Sequence, residues 1–149
     1  LDFLPSFLKY LSVYFNYTFT TSEIKNIDYE GREDDKLPMA GSPKNSYNIS
    51  LAYDTKKFDI RISFNHSDAF LNVNDDGGIG EEEFFDLYYD KVNYLDVNAN
   101  IRISKNFYYF INANNLLNQP LRTYLGEPER TFQAEYYGIK FLTGIKFKL

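Results

Sequence analysis

Cysteine is absent from the 149 residues, which excludes both disulfide staples and thiol chemistry. Histidine occurs once, at His66, and no Gly-x-Ser-x-Gly segment is present, so neither a nucleophile–base pair nor an enzyme active site is expected. His66 closes a strand-like run and is expected at a rim. No stretch approaches the ~20 apolar residues that a membrane helix needs, but a β-barrel strand crosses with only ~9–11 alternating residues, so a membrane protein stays open. Basic residues are in the minority, and the net charge of -5 argues against nucleic-acid binding, which shows as a basic patch. There is no initiator methionine and no signal peptide, so the chain reads as part of something longer.

Aromatic residues are plentiful, with 14 Tyr and 14 Phe but no Trp, together 19% of the chain. Membrane barrels place such residues in girdles at both interfaces. The last residues are the most telling. Leu149, Phe147, Ile145, Thr143, Phe141, Ile139 and Tyr137 alternate with Lys148, Lys146, Gly144, Leu142, Lys140, Gly138 and Tyr136. One face is apolar and aromatic while the other is mostly basic or small, as in a barrel strand between lipid and lumen.

Six strands are predicted: 8–21, 47–53, 58–65, 95–104, 107–115 and the closing strand. The fourth is the clearest, with Leu95, Val97, Ala99, Ile101 and Ile103 set against Asp96, Asn98, Asn100, Arg102 and Ser104. Alternation alone does not separate a soluble sandwich from a barrel, since the dry faces meet in a core in one and meet lipid in the other. The connections add a direction. Residues 22–46, 66–93 and 116–134 are long and polar, whereas 54–57 and 105–106 are tight turns. Long loops on one side and short turns on the other are the habit of outer-membrane barrels, with the short turns periplasmic. Six strands are fewer than the eight at which such barrels begin. The expected fold is therefore all-β, with antiparallel up-and-down strands forming about six C-terminal strands of a larger transmembrane barrel.

Several segments carry a resemblance. Leu11-Ser-Val-Tyr-Phe-Asn-Tyr-Thr-Phe-Thr-Thr-Ser22, Leu37-Pro-Met-Ala-Gly-Ser-Pro-Lys-Asn-Ser-Tyr-Asn48, Leu95-Asp-Val-Asn-Ala99, Asn115-Leu-Leu-Asn-Gln-Pro-Leu121, Tyr124-Leu-Gly-Glu-Pro-Glu-Arg130 and Glu135-Tyr-Tyr-Gly138 follow one another along nearly the whole chain. In order and spacing this resembles the C-terminal barrel region of TonB-dependent outer-membrane receptors. The terminal Leu149 departs from the aromatic residue usual there. The resemblance implies an importer of a scarce ligand (a siderophore, a corrinoid or a glycan) in the bacterial outer membrane, working without a required cofactor. It implies as partners outer-membrane lipid and lipopolysaccharide, the rest of the barrel and its plug, and TonB through an N-terminal region absent from this chain. The barrel-assembly machinery would read the closing strand through Phe141, Ile145, Phe147 and Leu149.

One loop has its own chemistry. Residues 72–83 match the twelve-position calcium loop, with Asn72, Asn74 and Asp76 at positions 1, 3 and 5, Gly77 at the sharp turn, Gly78 offering a carbonyl and Glu83 at position 12. Phe84 and Phe85 follow as an exiting helix would. An acidic, glycine-rich loop can match this pattern by chance, and the preceding residues read as strand. Tyr88, Arg122, Tyr124 and Arg130 lie at aromatic-rich loop tips and are candidates for ligand contact, although tyrosines near strand ends also serve as girdle residues. The competing function is a soluble, secreted all-β binding module with a Ca2+ loop at 72–83.

Overall fold

The computed structural model describes Pro5 and residues 8–73 and 78–148. Ten strands follow in chain order: β1 (Leu11–Phe19), β2 (Asn45–Asp54), β3 (Phe58–Ser67), β4 (Phe70–Leu71), β5 (Leu87–Tyr89), β6 (Val92–Arg102), β7 (Phe107–Asn114), β8 (Leu121–Leu125), β9 (Thr131–Glu135) and β10 (Lys140–Phe147). Six of them form an up-and-down antiparallel wall in the order β1-β2-β3-β6-β7-β10. The expected all-β, six-strand architecture is thus present.

The register converts alternation in sequence into two faces. Val13, Leu51, Ile62, Val97, Ala113 and Phe141 form one cross-strand row. Leu11, Tyr53, Ile60, Ala99, Ile111 and Thr143 form another on the same face. The intervening row is Ser12, Ala52, Arg61, Asn98, Asn112 and Leu142, and Tyr14, Ser50, Ser63 and Asp96 lie beyond it on that opposite face. Because side chains repeat every two residues, all six strands present their apolar sets together. Among the described residues nothing covers these side chains of the dry face: Val13 is 67%, Ile145 66% and Phe141 72% exposed. Exposed apolar area on this scale is foreign to a water-soluble surface and normal for one facing lipid.

Aromatic rings close the dry face at both ends. At the short-turn end Tyr53 packs between Tyr10 and Phe58, and Phe107 meets Phe147. At the long-loop end Tyr47 contacts Phe64 and stacks on His66 at 4.7 Å. His66 therefore lies at the rim, with Nδ1 against Asn93 Oδ1 and Nε2 against Asp68 Oδ1. On the wet face Arg61 stands over the Tyr14 ring, and Lys146 over Phe110. Gly144 lies under that Phe110 ring, where a Cβ would come within 2.8 Å of a ring carbon, so its smallness makes room for an aromatic on the neighbouring strand.

Three expectations need correction. The first strand begins at Leu11, because Leu8–Tyr10 form a 3-10 turn. Segments 66–93 and 116–134, read as plain loops, carry four short strands that form a second antiparallel sheet in the order β4-β5-β8-β9. Finally, the closing strand's alternation does not reach back to Tyr137. β10 starts at Lys140, and Gly138, at φ +75°, turns the chain out of strand geometry. Tyr137 consequently shares a hollow with the wet-face residues Asn65, Tyr94 and Asp96. Leu149 lies outside the described residues.

The facing of the wall can be tested in the full-length barrel. Val97→Arg puts a guanidinium mid-wall on the dry face and is expected to cost about 2–4 kcal/mol. Asn98→Arg, one residue on and facing the wet side, is expected to cost less than ~1 kcal/mol. Denaturant unfolding from lipid vesicles measures both, and equal losses would reverse the assignment of faces.

Candidate functional site

The long-loop end of the wall is built up rather than frayed. Wall columns β3-β6-β7-β10 are followed past the rim by β4-β5-β8-β9, adjacent in sequence and in the same lateral order, so the second sheet forms a collar on four of the six columns. Residues 20–44, between β1 and β2, fold against this collar. Ile27, Leu71 and Ile79 make a buried cluster with Ile24, Tyr29, Leu37, Ala40 and Tyr88 packed around it. Main-chain bonds reinforce the seam, with the Gly41 N–H donating to the Leu71 carbonyl at 2.8 Å.

A buried ion pair fastens the same seam. Arg32 Nη1 and Nη2 donate to the two carboxylate oxygens of Asp86 at 2.6 and 3.0 Å, and Asp86 has no exposed surface. Two further donors of the fork are used as well: Nη1 also reaches the Gly80 carbonyl, and Nε reaches Asp35 at 2.7 Å. Asp86 also accepts the Gly80 N–H at 3.0 Å. Asp86 holds the guanidinium more firmly protonated than usual, outweighing the opposing effect of burial, and Asp35 adds to it. Only a bidentate, fully hydrogen-bonded geometry makes a buried pair tolerable.

Below the collar, Asn115–Pro120 make a polar brace. Asn115 and Asn118 have positive φ, a conformation that asparagine tolerates better than other side-chain-bearing residues. Asn115 Oδ1 accepts the Gln119 N–H at 2.8 Å, and its Nδ2 donates to the carbonyls of Gln119 and Gly138. Its own N–H donates to Asp96 Oδ1 at 2.9 Å, and Gln119 Oε1 accepts the Asn93 N–H. The segment thus ties β6 and β7 to the entry of β10. The brace borders a hollow of about 340 Å3 at the rim of the wet face, lined by Asn65, Tyr94, Asp96, Asn114, Tyr137 and Lys140.

The residues singled out from sequence divide into groups. Tyr88 and Tyr124 are cross-strand partners on β5 and β8, stacked at 5.3 Å with rings 11° apart. Arg122 pairs with Asp90 at 2.8 Å, donates to the Pro128 carbonyl and Thr131, and lies near the Tyr124 ring. Arg130 sits over Phe84 and donates to the carbonyls of Phe84 and Leu125. The structure brings Tyr88, Arg122 and Tyr124 together on the collar, and Arg130 clamps the β8–β9 turn. Of the calcium-loop positions, Asn72 is buried with Oδ1 accepting the Val73 N–H, and the Gly78 carbonyl accepts the Leu87 N–H. Glu83 opens the exposed 3-10 turn Glu83–Phe85, which stands where an exiting helix was expected. Asn74, Asp76 and Gly77 lie outside the described residues. Among the described residues no cluster of three or more His, Asp or Glu side chains is set to hold a metal ion. Phe141, Ile145 and Phe147 project from the dry face of β10.

Sequence reading missed the Arg32–Asp86 pair and the rim hollow. The pair spans 54 positions, and its partners sit in unpatterned loops, so no periodicity announces it. The hollow had a signal in the wet-face residues of four strand ends.

No family model matches the chain, and none of the curated proteins matches it. Among solved structures, it is similar to the ferric-catecholate import receptor Fiu of E. coli K12 in its closed form. The TM-score is 0.63 at 15% identity, over 93% of this chain. The likeness is one of fold. The likeness covers 19% of the Fiu chain, so this chain corresponds to about a fifth of that receptor's length.

Two outcomes follow for the collar. Asp86→Ala leaves the Arg32 guanidinium buried without its carboxylate, a change expected to cost about 3–5 kcal/mol. Hydrogen exchange should then speed up at residues 24–37 while the β2–β3 amides stay protected; unchanged exchange at 24–37 would remove the pair's holding role. The Tyr88 phenol is pushed up to about 12, first by burial and then by Asp86. Its folded value exceeds the ordinary ~10, so its contribution to stability is intact below pH ~10 and is lost as pH rises toward ~12. Tyr124 shifts the same way through burial and Asp90. Near-ultraviolet titration should show the collar loosening across that interval, and Tyr88→Phe should reduce the loss.

Proposed function

We propose that this chain is the C-terminal part of the barrel of a TonB-dependent receptor that imports a scarce ligand across the bacterial outer membrane. One observation carries the reading: six strands in unbroken register present a continuous dry face, banded by aromatics at both ends, opposite a continuous wet face. Similarity in fold to an import receptor supports it. In hydrocarbon every backbone N–H and C=O must be paired, which a closed barrel achieves. Among the described residues β1 and β10 each have one partner strand, so on this reading the remaining strands of the barrel pair with them. The plug and the segment that contacts TonB also lie outside this chain. The dry face meets lipid, and lipopolysaccharide borders it at the long-loop end. The collar and the rim hollow face the medium, where ligand arrives. Phe141, Ile145 and Phe147 belong to the strand that the assembly machinery reads. The reading assigns the chain no catalytic step.

Expression of the full-length gene in a host with and without TonB tests this. The protein should fractionate with the outer membrane, run with heat-modifiable mobility on gels, and support ligand-limited growth only when TonB is present. Recovery in the soluble fraction, or growth indifferent to TonB, would defeat the proposal.

A further inference from the structure

We propose that the rim hollow is a ligand subsite for a neutral, hydroxyl-rich saccharide unit. This rests on the receptor reading and names the ligand class for its wet face. The hollow sits where the wet-face ends of β3, β6, β7 and β10 converge with the brace. Its volume, about 340 Å3, lies within the range of small-molecule sites. Its frame is rigid, because Asn115 and Gln119 spend their carboxamides on the backbone of their own segment, of Asn93 at the start of β6 and of Gly138 before β10. Of the groups exposed inside that frame, Tyr137 gives its hydroxyl to the Glu135 carboxylate, and the others keep donors or acceptors free. Asn65, Tyr94, Asn114 and Lys140 make no side-chain hydrogen bond to any described residue, and Asp96 uses one carboxylate oxygen on the Asn115 N–H and keeps the other. A fixed frame around unpaired donors and acceptors is the arrangement of a preorganised binding site.

The chemistry of the lining selects the ligand. Two carboxamides offer a donor and an acceptor each, which match vicinal hydroxyls, and the free oxygen of Asp96 accepts from a hydroxyl. Two phenols supply flat apolar faces with a polar tip. Charge in the hollow balances, with one carboxylate against one ammonium. An anionic ferric chelate would call for several cations and the planar fork of arginine. No arginine lines the hollow.

The test uses the purified full-length receptor in detergent, titrated by calorimetry against neutral gluco-, manno-, galacto- and xylo-oligosaccharides and against a ferric tris-catechol complex. At least one saccharide should bind. Asn65→Ala and Asn114→Ala, on different strands, should each weaken it roughly tenfold, the scale of one lost hydrogen bond. Heat-modifiable mobility confirms that each variant is folded, and Ser42→Ala, at the base of the β1–β2 loop, should leave binding unchanged. Three results overturn the inference: saccharide binding indifferent to both asparagines, binding of the ferric complex alone with loss in Lys140→Gln, or silence of the whole panel. Saccharide binding that depends on Asn65 and Asn114 in a receptor whose uptake ignores TonB would keep the subsite and reject the importer.

Discussion

Across the five ladders that join β1 to β10, no residue is inserted or dropped, so a side chain's face is fixed by its parity alone. A slip of one position anywhere would turn Val97 and Ile62 inward and Asn98 and Arg61 outward. The other features of the wall depend on this constraint. The aromatic bands line up because Tyr53 and Phe58, or Tyr47 and His66, fall on the same parity of neighbouring strands. Unlike the wall, the collar contains an irregularity, between Thr123 and Tyr124, where the β8–β9 pairing shifts. That shift lies beyond the rim, where the dry face of the wall no longer dictates parity.

The collar is held by a different kind of force. Its apolar cluster is small, with three buried aliphatic residues, so the hydrophobic contribution is modest and specific polar contacts carry the geometry. Arg32 ties its own loop to the β4–β5 connection at two points, Asp86 and Gly80, and Arg122 and Arg130 each join main-chain carbonyls to a side chain or ring. Three arginines thus do for the loops what the ladders do for the wall.

Legibility in the sequence followed the same division. β3 and β6 were evident because Ile60, Ile62 and Phe64, and Leu95, Val97 and Ala99, alternate with polar residues over strands long enough to display the period. The collar strands have two to five residues, too few to display a period, and their partners come from different loops. Gly138 hid the other error: alternation continues through it in the sequence, but the positive φ breaks it in space, and Tyr137 changes side. Tyr88, Arg122 and Tyr124 were recognised as notable. Their cross-strand stacking and their bonds to Asp90 and Pro128 could not be read from spacing, because those contacts cross between loops.

The two tight turns have a consequence for assembly. β2 with β3 and β6 with β7 are hairpins whose ends meet through short loops, so their contacts have low sequence separation and form at little cost in chain entropy. The β1–β2, β3–β6 and β7–β10 ladders must instead wait until insertions of more than twenty residues have been drawn closed. Those insertions pack against one another, and once Arg32 has found Asp86 the strand ends flanking the first two are no longer free to diffuse apart. Closure of the collar and zippering of the wall are therefore coupled events, and the order in which the strands join is written into the alternation of long and short connections.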